Sequence, residues 1–134
     1  MNKIDRIWFD GEWIYGQGDD GVIYRQSLLW YRRLLEASDE ERSQYEVSSI
    51  GIHWPMLDED ISFESFAYPE AEPSGLQRFF LTHPEINVSG FARKFGVNPS
   101  LLRSYVNGFK VPSKQKEQEI LHMIHTLAEE YAKV

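Results

Sequence analysis

Apolar positions change their spacing several times along this chain, and each change marks an element. Lys3 to Phe9 is rich in β-formers, Asp10-Gly11 reads as a hairpin turn, and Glu12 to Gln17 returns as a second strand. Gly18-Asp19-Asp20-Gly21 makes another turn before a third strand over Val22 to Arg25. From Ser27 the period lengthens: Leu28, Leu29, Tyr31, Leu34 and Leu35 recur at helical spacing and predict a helix to about Ala37. Ser38 followed by Glu41 has the form of a capping box and opens a further short turn of helix. Tyr45 to Ile50 reads as a last strand, with Gly51-Ile52-His53-Trp54-Pro55 leading off it. Trp54, Pro55 and Leu57 are expected to close the core, while the acids that follow cap a short helix over Ile61 to Phe66. Two prolines and two acids between Tyr68 and Ser74 suit neither helix nor strand. Residues 1–68 are therefore read as one domain, 69–74 as a linker and 75–134 as a second domain.

The second domain is periodic in helical steps throughout. Leu76, Phe79, Phe80 and Leu81 form a short amphipathic helix that His83-Pro84 ends. Asn87 to Pro112 then carries the strongest signal in the chain. Ser89 is placed to cap a helix bearing Phe91, Ala92 and Phe95, and Gly96 stands where that helix stops. Val97 is an apolar plug, Asn98 caps a second helix with Pro99 in its first turn, and Asn107-Gly108 ends it. Two short helices joined by a tight glycine turn are the helix-turn-helix unit, whose second helix is shaped for a DNA major groove. Ser113 caps a long last helix with Ile120, Leu121, Ile124, Leu127, Ala128 and Tyr131 along one side.

Charge changes this picture only when it is divided. The net charge of −7 arises from 6 basic against 16 acidic residues over 1–74, and 8 basic against 5 acidic residues over 75–134. Two modules with different partners fit that asymmetry: an acidic one for a protein partner, and a basic one for duplex DNA. With 42% hydrophobic and 14% aromatic residues the chain can build real cores. Having no cysteine, it has no disulfide framework and no thiolate nucleophile, and a reducing cytoplasm is the expected setting. The first residues lack the apolar core of a signal peptide, and no apolar run reaches membrane-spanning length, so no membrane is expected.

Two resemblances follow from particular residues. Asp10-Gly11, the leucine-rich helix, Glu40-Glu41-Arg42 and the run Gly51-Ile52-His53-Trp54-Pro55 with Leu57-Asp58-Glu59-Asp60-Ile61 resemble the DUF2442 family over Met1 to Phe66. That resemblance implies an α+β domain with a three-stranded meander, a helix and a further strand. It also implies a Cro/lambda-repressor-like (XRE-type) domain at the C-terminus in some members. Some members stand beside a small partner protein in pairs that look like toxin–antitoxin systems. Phe91 to Ser113 is similar to the lambda-repressor-like all-α family in its order of helix, glycine turn, recognition helix, Asn-Gly and proline. Where that family often opens the unit with a Gln that contacts DNA backbone, this chain has Val88-Ser89-Gly90.

Chemistry then assigns the residues. Leu101, Leu102, Tyr105 and Val106 take the apolar side of the recognition helix, leaving Asn98, Ser100, Arg103, Ser104 and Asn107 outward. Arg103 matches guanine O6 and N7 bidentately, Asn107 suits adenine or phosphate, and Lys94, Lys110, Lys114 and Lys116 suit phosphate. One such unit makes few contacts, so a homodimer on two half-sites is expected. The expected function is a DNA-binding regulator, with an autoregulating antitoxin-like repressor as its concrete form. A protein-interaction adaptor is the alternative. A metal-dependent enzyme centred on His53 with Asp58 and Asp60 ranks below both, because no regular ligand spacing or nucleophile–base pair accompanies them. No catalytic residue, metal or cofactor is expected. Trp8, Trp13, Trp30 and Trp54 are expected mostly in a core, any exposed one marking an interface.

Overall fold

Alternating side chains in the first 27 residues build an antiparallel meander. In the computed structural model, which describes residues 1–68 and 72–134, its strands are β1 (Ile4–Asp10), β2 (Trp13–Gly18) and β3 (Ile23–Ser27). Asp10 pairs with Trp13, so the first turn is Gly11-Glu12, one residue later than expected. In the second turn the Gly21 amide donates to the Gly18 carbonyl at 2.9 Å. Asp20 fastens that turn, accepting from the Val22 amide at 3.0 Å and from the Tyr24 hydroxyl at 2.8 Å.

The Val22 amide first, and then the Tyr24 hydroxyl, hold the Asp20 carboxyl below its ordinary value. A depressed folded pKa gives stability that is present above the unfolded carboxylate range and lost as pH falls through the folded value. Asp20→Asn is therefore expected to flatten the acid side of the stability curve. Urea midpoints of both proteins at neutral pH and at about pH 3 test this; equal acid losses would count against it.

The helix expected from Ser27 to Ala37 is broken. A 3₁₀ turn, Leu28–Trp30, is followed by α1 (Arg32–Leu35), with Tyr31 between them at φ −128°, ψ 70°. The cause is a buried polar group. Gln26 Oε1 accepts from the Tyr31 hydroxyl at 2.7 Å, and Gln26 Nε2 donates to Ser65 Oγ at 2.8 Å. An unpaired buried amide is costly, so Tyr31 leaves the helical path to satisfy it. The capping box at Ser38 and Glu41 is present and opens α2 (Asp39–Arg42).

The fold is α+β, but the expected single further strand is one edge of a second three-stranded sheet: β4 (Glu46–Val47), β5 (Gly51–Trp54) and β6 (Glu59–Ser62). Ile52 pairs with Ile61 and both are buried; β6 buries Ile61 between two exposed neighbours, whereas β5 is buried at every position but His53. Pro55 follows β5 and takes no ladder position, and Asp58 occupies the turn at φ 49°. The acids thus sit on a turn and a strand, and the expected helix over Ile61 to Phe66 shrinks to a 3₁₀ turn at Glu64–Ala67. Trp54 closes the core as expected, whereas Pro55 is exposed and Leu57 is half-buried.

Among the four tryptophans only Trp54 is fully buried, which corrects the expectation that most are core. Trp8 and Trp13 share the face of the first sheet opposite the row Phe9–Ile14–Gln26. Trp8 stacks on Tyr15 with ring centroids 5.6 Å apart, and the guanidinium carbons of Arg6 and Arg25 lie 4.7 Å over Trp8 and 4.0 Å over Trp13. Trp8 is thus covered by Tyr15 and Arg6, and Trp13 by Arg25, and neither belongs to the packed core.

The chain divides into two compact units, Met1–Pro73 and Ser74–Val134. Of the expected linker, residues 69–71 lie outside those described. The second unit holds α3 (Gly75–Thr82), α4 (Val88–Phe95), α5 (Pro99–Val106) and α6 (Lys114–Ala132) around a core of Leu76, Phe80, Phe91, Leu102, Ile120 and Ile124, among others. Among the described residues no helix is long and apolar enough to cross a membrane.

Candidate nucleic-acid interface

Local sequence sets the geometry of α4 and α5. The cap of α4 is Asn87, not Ser89: the Asn87 side chain accepts from the Gly90 amide at 3.0 Å, which places Ser89 inside the first turn. Gly96 ends α4 at φ 75°, in the left-handed region that side chains avoid, and its amide returns to the Ala92 and Arg93 carbonyls. Val97 is buried immediately afterwards. Asn98 caps α5 as expected, accepting from the Leu101 amide at 3.1 Å, with Pro99 opening the helix. Leu102, Tyr105 and Val106 are buried and Leu101 is partly buried, so α5 shows its other face to solvent. Gln77 of α3 secures the end of α5 by donating to the Tyr105 carbonyl at 3.0 Å.

Ser100, Arg103 and Asn107 follow one another at three- and four-residue steps, and Ser104 stands four after Ser100 and three before Asn107, so they share that outward side. Arg103 is exposed and donates through Nη1 to Ser89 Oγ and through Nη2 to Ser100 Oγ, the second at 3.2 Å. The Ser104 hydroxyl is turned inward along the helix, donating to the Ser100 carbonyl at 3.0 Å. Asn107 is the exposed C-cap. Beyond Gly108, at φ 81°, Lys110 is exposed between Phe109 and Val111, themselves 83% and 86% exposed. Lys114 is exposed in the first turn of α6.

The expected phosphate-binding cations divide into two kinds. Lys94 pairs with Glu130 at 3.2 Å and Lys116 with Glu119 at 3.6 Å. Lys110 and Lys114 have no ion-pair partner among the described residues. Exposed pairs of this kind contribute little to stability, so Lys94 can exchange Glu130 for a phosphate at small cost. Sequence reading missed two features. The Ser89–Arg103 contact joins residues 14 apart, and only the packing of α4 on α5 brings them together. Phe109 and Val111 stood in the sequence as ordinary apolar residues of a loop.

The acidic segment of the first unit has a different geometry. His53 and Asp60 are cross-strand partners with Nδ1 and Oδ1 2.6 Å apart, while Asp58 projects from the turn with its side chain 90% exposed. Its carboxylate is 3.7 Å from Arg33, whose Nη1 also donates to the Asp58 carbonyl at 2.7 Å. Burial first of all raises the Glu59 carboxyl above its ordinary value. Among the described residues no three His, Cys, Asp or Glu side chains converge as a metal-binding group.

A family model described as "Protein of unknown function (DUF2442)" matches residues 4–72, just over half of the 134 residues, and the chain belongs to that family. No curated protein and no solved structure matches it.

Proposed function

We propose that this member of the DUF2442 family is a DNA-binding transcriptional regulator that docks α5 in the major groove of duplex DNA. One observation carries the reading: a capped, glycine-joined pair of eight-residue helices turns Ser100, Arg103 and Asn107 outward, with the exposed cations Lys110 and Lys114 following. Helices of this order, followed by Asn107-Gly108, Pro112 and a long last helix, support a lambda-repressor-like, XRE-type identity for residues 75–134. Arg103 reads guanine, and the lysines hold phosphates without reading sequence. A two-fold dimer fits the few contacts one unit offers. The acidic first unit serves as its partner or dimer module, and an autoregulating, antitoxin-like repressor is the concrete form.

Binding to the DNA upstream of the coding region, followed by anisotropy across a salt series, tests this. Arg103→Ala is expected to cost ~1–3 kcal/mol on the preferred site. Lys110→Ala and Lys114→Ala are expected to weaken all duplexes alike, each lowering the salt slope by about one. Affinity no better than for random duplex, unchanged by Arg103→Ala, would sink the reading. The second reading, an interaction adaptor, is favoured by the ion pairs that engage Lys94 and Lys116 and by the arginine-covered tryptophans of the first sheet.

A further inference from the structure

Arg103 is held in place by neutral groups. Its Nη1 donates to Ser89 Oγ on α4 and its Nη2 to Ser100 Oγ one turn earlier on α5, the latter at 3.2 Å. A carboxylate in either position would neutralise the guanidinium, whereas serine hydroxyls orient it and leave its charge intact. Two of its five N–H donors go to the serines, so three remain for an outside acceptor pair. Both supports are themselves fixed. Ser89 lies in a first turn capped by Asn87, and Ser100 receives the Ser104 hydroxyl on its carbonyl at 3.0 Å. Ser89 is not the helix cap, so the Arg103 contact is what its hydroxyl does.

An exposed arginine ordinarily loses rotamer freedom when it docks, and holding the side chain beforehand reduces that loss. The benefit falls on geometry-sensitive contacts. A bidentate pair to guanine O6 and N7 needs the planar fork aimed correctly, whereas a phosphate accepts a cation from many directions. Resting on the DNA-binding reading above, we infer that Ser89 is a positioning residue that sets the Arg103 guanidinium for guanine. A G·C pair under Arg103 is accordingly the base pair this protein discriminates most strongly.

The test starts from sites enriched by the unaltered chain out of a random duplex pool. Affinities of the unaltered chain, Ser89→Ala and Ser89→Thr are then measured for every single-base change in the enriched site and for random duplex. Ser89→Ala is expected to lower the preference for one G·C pair by about ten-fold. Ser89→Thr, which keeps the hydroxyl, retains the preference, and binding to random duplex is unchanged in both. Undiminished discrimination in Ser89→Ala would overturn the inference. So would equal loss in both variants, because the effect would then follow side-chain size rather than the hydroxyl, and so would equal loss on specific and random DNA. Enrichment of no sequence by the unaltered chain would instead overturn the DNA-binding reading itself, and this inference with it.

Discussion

Trp54→Ala is expected to remove about 3–5 kcal/mol from the unfolding free energy of the first unit, the cost of deleting a large fully buried ring. Trp54 has no exposed surface and sits in one cluster with Ile14, Leu28, Leu34, Ile52, Ile61 and Phe66. Its indole Nε1 donates to the Arg42 carbonyl at 2.9 Å, and its ring meets Tyr45 at 5.7 Å. Arg42 is itself a junction: its side chain donates to the Leu34 and Leu35 carbonyls at 2.9 and 3.1 Å and lies 4.8 Å over Phe9. Truncating Trp54 therefore leaves a cavity and also frees the carbonyl of Arg42, the residue whose guanidinium holds the last carbonyls of α1. A domain of this size has about 5–10 kcal/mol in all, so the first unit of the variant is expected to unfold at a much lower urea concentration than that of the unaltered chain. The helical signal of the second unit, which has its own core, is expected to persist. Trp54→Phe, losing the indole N–H and three ring atoms but keeping most of the buried ring, is expected to cost less than alanine does, with a lower limit of about 1–2 kcal/mol from the lost hydrogen bond. Urea unfolding followed by near- and far-UV circular dichroism measures all of this. A Trp54→Ala loss below about 1 kcal/mol would mean that the first unit is not held together through this ring.

Particular residues explain what could be read from the sequence alone. The second hairpin turn, the capping box at Ser38 and the caps Asn98 and Ser113 are local chemistry, and each stands where its residues place it, while the first hairpin turn lies one residue beyond Asp10-Gly11. The break at Tyr31 was not legible, because it depends on Gln26 meeting Ser65, 39 residues away. The second sheet was hidden for a related reason: β4 is only two residues long, and the three acids before Ile61 resemble a helix cap more than the turn and strand of a hairpin. Cap choice in α4 was decided by two residues of register, since Asn87 and Ser89 are both good caps and only backbone position separates them. For the candidate interface, helical spacing alone put Ser100, Arg103 and Asn107 on one side. Nothing in the spacing tied Arg103 to Ser89 or Lys94 to Glu130, since those contacts run between helices.

Gly51→Ala is the smallest change expected to have a comparably large effect, because here the added methyl meets backbone. A Cβ on Gly51 would lie 2.5 Å from the Ile61 carbonyl oxygen and 2.9 Å from Ser62 Cα. Neither atom can rotate away as the end of a side chain can. The clash falls where β5 and β6 begin to pair, Gly51 opposite Ser62, and the Phe63 amide donates to the Ile50 carbonyl at 2.9 Å just beside it. Relief requires the strands to part, and parting them withdraws Ile52 and Ile61 from the core together. A loss of about 3 kcal/mol, at the upper end for overpacking, is therefore expected. This explains why the family-like run from Gly51 to Ile61 opens on glycine: strand approach, not turn formation, demands it. Substituting Gly75 supplies the control, since a Cβ there meets nothing within 4 Å and its φ is not positive. Gly75, in the first turn of α3, tolerates alanine with a gain in helix propensity of up to about 1 kcal/mol. Comparing urea midpoints of Gly51→Ala and Gly75→Ala separates crowding from a general intolerance of glycine replacement. A Gly51→Ala protein as stable as the unaltered chain would mean that β5 and β6 are further apart than this packing requires.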